Sequence, residues 1–178
     1  MALHGYVNTA KCTCWDVDAY NLAGVYTEGA LDNGVLVTLV KMNQNAENKI
    51  GGFEYEVKPA TANDTSVWIV DSPEVGSTLM QQMMADPREF YNEAGRTMSL
   101  KFMNPKVDCI EVTAEAFEGG TMPTATNKYV VIGANGKLKA TNTAQTSTTG
   151  AYFTFEGLHS TTIGMAEVET AMLRCARN

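Results

Sequence analysis

Histidine is scarce in this 178-residue chain, which has only His4 and His159. That scarcity leaves little material for histidine-based metal or acid–base sites. The metalloprotease pattern H-E-x-x-H is missing, as are the P-loop and any dinucleotide fingerprint leading into a helix. No run of about 18 apolar residues is present, so no helix of membrane-spanning length is expected and no membrane partner. Basic residues are outnumbered, 13 Lys and Arg against 20 Asp and Glu, giving a net charge of −7. A face basic enough to neutralise nucleic-acid phosphates is therefore not expected either. The opening residues, MALHGYVNTAKC, lack the basic head and apolar core of a secretory signal, so synthesis and folding in a cytosol are expected.

Cysteine is sparse and oddly spaced. Cys12 and Cys14 form C-x-C, not the C-x-x-C of a zinc knuckle or redox motif, and Cys109 and Cys175 are isolated. In a cytosol all four are expected reduced, with Cys109 and Cys175 serving as small core hydrophobes. No cofactor and no metal site is expected. His159 and Ser160 are neighbours in what reads as a loop, but no G-x-S-x-G elbow surrounds the serine. The carboxylates Glu54, Glu56, Asp71, Glu74, Asp108, Glu111 and Glu115 supply pairs in principle. Glu54 and Glu56, however, alternate with apolar residues as a solvated strand face does. Asp16 and Asp18 lack the acidic residue and glycine that complete a calcium loop. The chain reads as a non-enzyme.

What is present is β-pattern. The hydrophobic fraction is 44%, enough for a core. Val35 to Val40 is a β-branched run of strand length following the turn pair Asn33-Gly34. Phe53, Tyr55 and Val57 alternate with Glu54, Glu56 and Lys58 after Gly51-Gly52, and residues 66–71 form a short apolar strand. Residues 77–85 are the one helix-like patch, and Asp86-Pro87 is a cap followed by a first-turn proline. Strands are expected again at 98–103, 108–112, 129–133, 137–140 and 151–156. The segment 161–174 fits strand alternation better than a helix. Ala134-Asn135-Gly136, between two of these strands, marks a β-hairpin. The expected fold is all-β, a compact barrel or sandwich with one or two short helical turns.

Residues 1–30 have a different texture, small and polar with scattered aromatics, and are expected to form an extended N-terminal arm before a β-rich body at 31–178. Tyr6, Trp15, Tyr20 and Tyr26 in the arm are candidate partner contacts, or alternatively cover the body's own core. Met80 and Met83, in the densest of the chain's methionine clusters, are further candidates.

Several words in order carry a resemblance: Asn33-Gly34-Val35-Leu36-Val37, Trp68-Ile69-Val70 leading into Ser72-Pro73-Glu74-Val75, Phe90-Tyr91-Asn92-Glu93-Ala94-Gly95, the stretch from Ile110 to Phe117, Asn127-Lys128-Tyr129-Val130-Val131, and Asn135-Gly136-Lys137-Leu138. The chain in this respect resembles small virion structural proteins of tailed bacteriophages, the head-decoration or auxiliary capsid class. The resemblance covers residues 33 to about 140 and, more loosely, the C-terminal strand; the segment before Leu31 lies outside it. It implies a protein that binds the major capsid protein on the capsid exterior, associates with itself, often as a trimer, and clamps neighbouring subunits. It implies no catalytic residues. A tail-tube, head-fibre or connector protein is the alternative within the virion, and a carbohydrate-binding or host-surface adhesin module is the alternative outside that class.

Overall fold

The computed structural model describes residues 2–14, 18–43, 54–76, 79, 83, 86–146 and 149–178. The fold is all-β, and its strands form two units. The first is a closed barrel of β1 (Asn21–Val25), β2 (Leu36–Met42), β3 (Glu54–Pro59), β4 (Trp68–Val70) and β5 (Thr97–Phe102), ordered β1-β3-β2-β4-β5. β5 closes it antiparallel to β1, while β1 and β3 run parallel. The second is an antiparallel sheet of β6 (Cys109–Thr113), β7 (Tyr129–Ile132), β8 (Leu138–Thr141), β9 (Tyr152–Ile163) and β10 (Ala166–Arg177), ordered β6-β10-β9-β7-β8.

The apolar run at 35–37 explains how the units join. Side chains alternate across a strand, so a half-buried strand reads apolar–polar and one buried on both faces reads apolar throughout. Val35 and Val37 point into the barrel with Val57, Val70, Met98 and Leu100. Leu36 and, on the paired strand, Ile69 point outward and are covered by Leu138, Phe153 and Leu173 of the second sheet and by Phe117, which bridges Leu138. Burying one such aliphatic side chain contributes roughly 1.5–3 kcal/mol. Gly24 makes room inside the barrel: a Cβ there would stand 2.6 Å from Leu100 Cδ1.

The N-terminal segment is extended but not separate. Val7 bridges Val112 of β6, Thr113 N–H donates to Tyr6 C=O (3.1 Å), and Asn8 N–H donates to Glu111 C=O (2.8 Å). Val7, Cys12 and Cys14 are core residues, and residues 21–25 are a barrel strand paired on both sides. The boundary drawn at residue 30 therefore does not divide an arm from a body. The arm's small, polar composition hid a strand that contributes a glycine to the barrel interior and needs few large side chains. The patch at 77–85, Gly51-Gly52 and Phe53 lie outside the described residues, apart from Leu79 and Met83. Asp86 does cap a 3-10 turn, Pro87–Glu89, by accepting from Arg88 N–H at 2.9 Å.

Two differences appear near the C-terminus. His159 and Ser160 are in β9, not in a loop. The β-branched residues Thr161, Thr162 and Ile163 extend that strand until Gly164, at φ 61°, turns the chain into β10. The helical alternative for the last segment is replaced by a twelve-residue strand.

The expected hairpin forms between β7 and β8. Asn135 and Gly136 both have positive φ, 54° and 72°, and Lys137 N–H donates back to Ala134 C=O at 3.1 Å, the twist that suits a two-residue turn. The tip also docks on the barrel: a Cβ on Gly136 would run into Leu36 C=O and approach Val35 Cγ1 at 3.0 Å. Gly136→Ala should therefore lose stability twice, through positive φ and through the clash, by about 2 kcal/mol or more. Chemical denaturation of the variant against the parent checks this, and a change below about 0.5 kcal/mol would mean that the tip is not held against the barrel.

Candidate functional site

The outward face of the second sheet carries the densest chemistry among the described residues. Glu111 sits mid-β6, where Ile110 and Val112 face the core and Glu111 faces the other way. It is nevertheless only 1% exposed. One oxygen, Oε1, accepts from Thr170 Oγ1 (2.7 Å), lies 3.1 Å from His159 Nδ1, and accepts from Asn8 Nδ2 (3.3 Å). Burial pushes this carboxyl's pKa up, but the hydrogen bonds from Thr170, His159 and Asn8 outweigh it and leave the carboxyl below its ordinary value. Glu111 is thus a fixed anion tying β6, β10, β9 and the N-terminal segment together. Its other oxygen is buried without a partner among the described residues.

Beside it lies a pocket of about 490 Å³, lined by Ala10, Lys11, Cys12, Thr13, Cys109, Ile110, Glu111 and Met172. Cys12 and Cys14 are free and buried, their sulfurs 3.3 Å apart. Cys109 is half-buried at the pocket wall, and Cys175 is fully buried on β10, its thiol pushed up to about 12, chiefly by burial. No group of three or more His, Cys, Asp or Glu among the described residues is arranged to hold a metal ion.

A second polar cluster lies at the barrel's end. Asn33 donates to Ser72 C=O (2.8 Å) and accepts from Ser72 N–H (3.1 Å) and Asn92 Nδ2 (3.1 Å). Next to it Asp71, 3% exposed, accepts from Thr9 Oγ1 at 3.2 Å, while its other oxygen has no partner among the described residues. Burial drives Asp71 up to about 6, against the opposing pull of the Lys101 charge and the Thr9 hydroxyl. Such a carboxyl can hold or release a proton near neutrality, and the hydroxyl beside it, that of Thr9, donates to it.

The residues singled out in the sequence do not converge. Tyr6, Tyr20 and Tyr26 are half-buried against their own chain: Tyr6 in the N-terminal segment along β6, Tyr20 with its ring 6.1 Å from Phe102, Tyr26 on the barrel core. Trp15 and Met80, with Asp16, lie outside the described residues. Met83 is described and is 74% exposed. Glu54 is buried rather than solvated, because Asn43 Nδ2 (2.6 Å) and Thr97 Oγ1 (2.5 Å) donate to it, whereas Glu56 pairs with Lys41 at 3.4 Å. His4 is partnered by Asp32 at 2.7 Å beside the Tyr91 ring, and Ser160 donates to Glu167 (2.6 Å) and not to His159. Trp68 packs on Phe102 with ring centroids 5.2 Å apart, which takes it from the aromatics free to stack on a sugar.

The Asp71 environment fixes the sign of a pH effect. A carboxyl whose pKa is raised on folding contributes stability below its unfolded value, near 4, and that contribution is lost as pH rises through about 6. Asp71→Asn should therefore raise stability at pH 8 by on the order of 2–3 kcal/mol and change it little at pH 4. Urea titrations of parent and variant at both pH values measure the difference, and an equal effect at both would refute the ionisation argument. Comparison with known protein families, with curated proteins and with solved structures finds no match for this chain.

Proposed function

We propose that this chain is a structural protein of a tailed-phage virion, a head-decoration subunit that binds the major capsid protein on the outer lattice, associates with copies of itself and works by contact instead of chemistry. The resemblance in residues 33–140 raises the reading, and one structural observation supports it most. β9 and β10 are each twelve residues long. β7 flanks β9 only at Tyr129–Val131 against Thr154–Tyr152, and β6 flanks β10 only over 170–174. The outer part of the hairpin, 158–169, is thus a two-stranded ribbon with no third strand beside it among the described residues. At its turn Met165 is 98% exposed, and Leu158 nearer the base is 48% exposed, although Ile163 is buried.

Free strand edges and an exposed apolar tip are what a clamp across a subunit boundary uses. Met83 and Leu79, 74% and 75% exposed, offer a further apolar contact. One copy buries a modest area, but repetition over a lattice makes the shell cooperative.

The expected result is that the protein co-sediments with expanded capsids and raises their heat resistance. Met165→Asp should weaken capsid binding about tenfold or more, a loss near 1.4 kcal/mol, with an unchanged circular dichroism spectrum. Gold labelling of particles separates shell from tail: signal on the tail favours a tube or connector role. Failure of the parent protein to bind any virion component overturns the reading.

A further inference from the structure

The Cys12-Thr13-Cys14 pair has no part in the contacts invoked above. Thr13 is pinned to the start of β6 on three sides: its N–H donates to Cys109 C=O (3.1 Å), its hydroxyl donates to Asp108 Oδ1 (2.9 Å), and the same hydroxyl accepts from Cys109 N–H (2.9 Å). Cys12 N–H closes the 3-10 turn Thr9–Lys11 by donating to Thr9 C=O. With the residue between them clamped, both cysteine side chains turn to one side and their sulfurs stand 3.3 Å apart. A disulfide needs them about an ångström closer. Cys12 and Thr13 also line the 490 Å³ pocket, so a small molecule held there lies beside Cys12, with Cys14 fully buried behind it.

We propose that Cys12 and Cys14 are a modification site, a vicinal dithiol that small disulfides entering the pocket convert to an intramolecular disulfide. The Cys12 thiolate attacks one sulfur of the small disulfide, forming a mixed disulfide and releasing one thiolate. Cys14 attacks Cys12 Sγ and its proton passes to the departing sulfur, forming the Cys12–Cys14 bond and releasing the second half of the small disulfide as a thiol. Two protein thiols are oxidised, and the small disulfide is reduced to two thiols.

The order of attack follows from the surroundings. Cys12 lines the pocket and Cys14 is fully buried behind it; the hydrogen bond between them lowers Cys12, against burial and the Asp71 charge that raise it, whereas Cys14 is raised by that same hydrogen bond and by burial. Cys109 also lines the pocket, half-buried, and its thiol is raised chiefly by burial whereas that of Cys12 is lowered. A cytosolic thiol pool keeps the pair reduced, and exposure to an oxidising exterior closes it.

The test is to incubate the folded protein with excess hydroxyethyl disulfide, quench in acid, and count thiols after denaturation. The expected result is a fall from four free thiols to two, and a peptide containing both Cys12 and Cys14 that is lighter by two hydrogens and carries no adduct. Cys14→Ser should stop at a mixed disulfide on Cys12, and Cys12→Ser should react at least about tenfold more slowly. The parent protein alone decides the matter if a serine variant does not fold. Survival of all four thiols while the denatured chain reacts, a lasting adduct on Cys12 of the parent, or first reaction at Cys109 would each overturn the proposal.

Discussion

The apolar layer between barrel and sheet is the constraint on which the other features depend. Leu36 and Ile69 stand opposite one another on β2 and β4 and project away from the barrel interior. Phe153, Leu138 and Leu173 of the second sheet, with Phe117 bridged to its edge at Leu138, belong to the same cluster. The short barrel strands, β4 being three residues, would make a small enclosed core by themselves. Because Leu36 and Val37 of β2, and Ile69 and Val70 of β4, are buried on opposite faces of their strands, each strand stabilises two cores at once. Polar groups then gather where this layer ends. Asn178 accepts from Val67 N–H (2.6 Å) and donates to Val67 and Met103 carbonyls, stitching the end of β10 to the flanks of β4 and β5.

Most strands were legible because their signals are local. The double burial of β2 is written in Val35-Leu36-Val37, and the β7–β8 turn in Asn135-Gly136. The long β9–β10 hairpin was half legible. Its second strand alternates clearly, but His159 and Ser160 read as loop because polar side chains dominate where a ribbon has no sheet beside it. β1 was not legible, since Asn21-Leu22-Ala23-Gly24-Val25 has few bulky residues and its interior position needs none.

The chemistry was less legible than the fold. Glu111 resembles any solvated glutamate on an alternating strand. Its burial comes from the N-terminal segment pairing with β6 and from the neighbours Thr170 and His159, whose proximity spans 59 and 48 residues of sequence. Asp71 likewise follows an apolar strand and precedes a turn, an ordinary place for a carboxylate; only the fold covers it. The C-x-C spacing was visible, but the clamp on Thr13 that aligns the two sulfurs is made by Asp108 and Cys109, far along the chain.

The parallel pairing of β1 with β3, and its sealing by β5, has a consequence for the order in which the molecule is assembled. A ribosome releases β1 well before its neighbours, which lie at 54–59 and 97–102. For much of synthesis this strand has two vacant edges, and the barrel cannot shut until Phe102 has emerged. The second sheet waits longer, because β10, which sits between β6 and β9, follows every other strand of the two units in the chain. Such distant pairings close slowly and leave nascent edges open to wrong partners. A cell producing many copies would thus meet its greatest hazard in the unfinished chain, before a native surface exists.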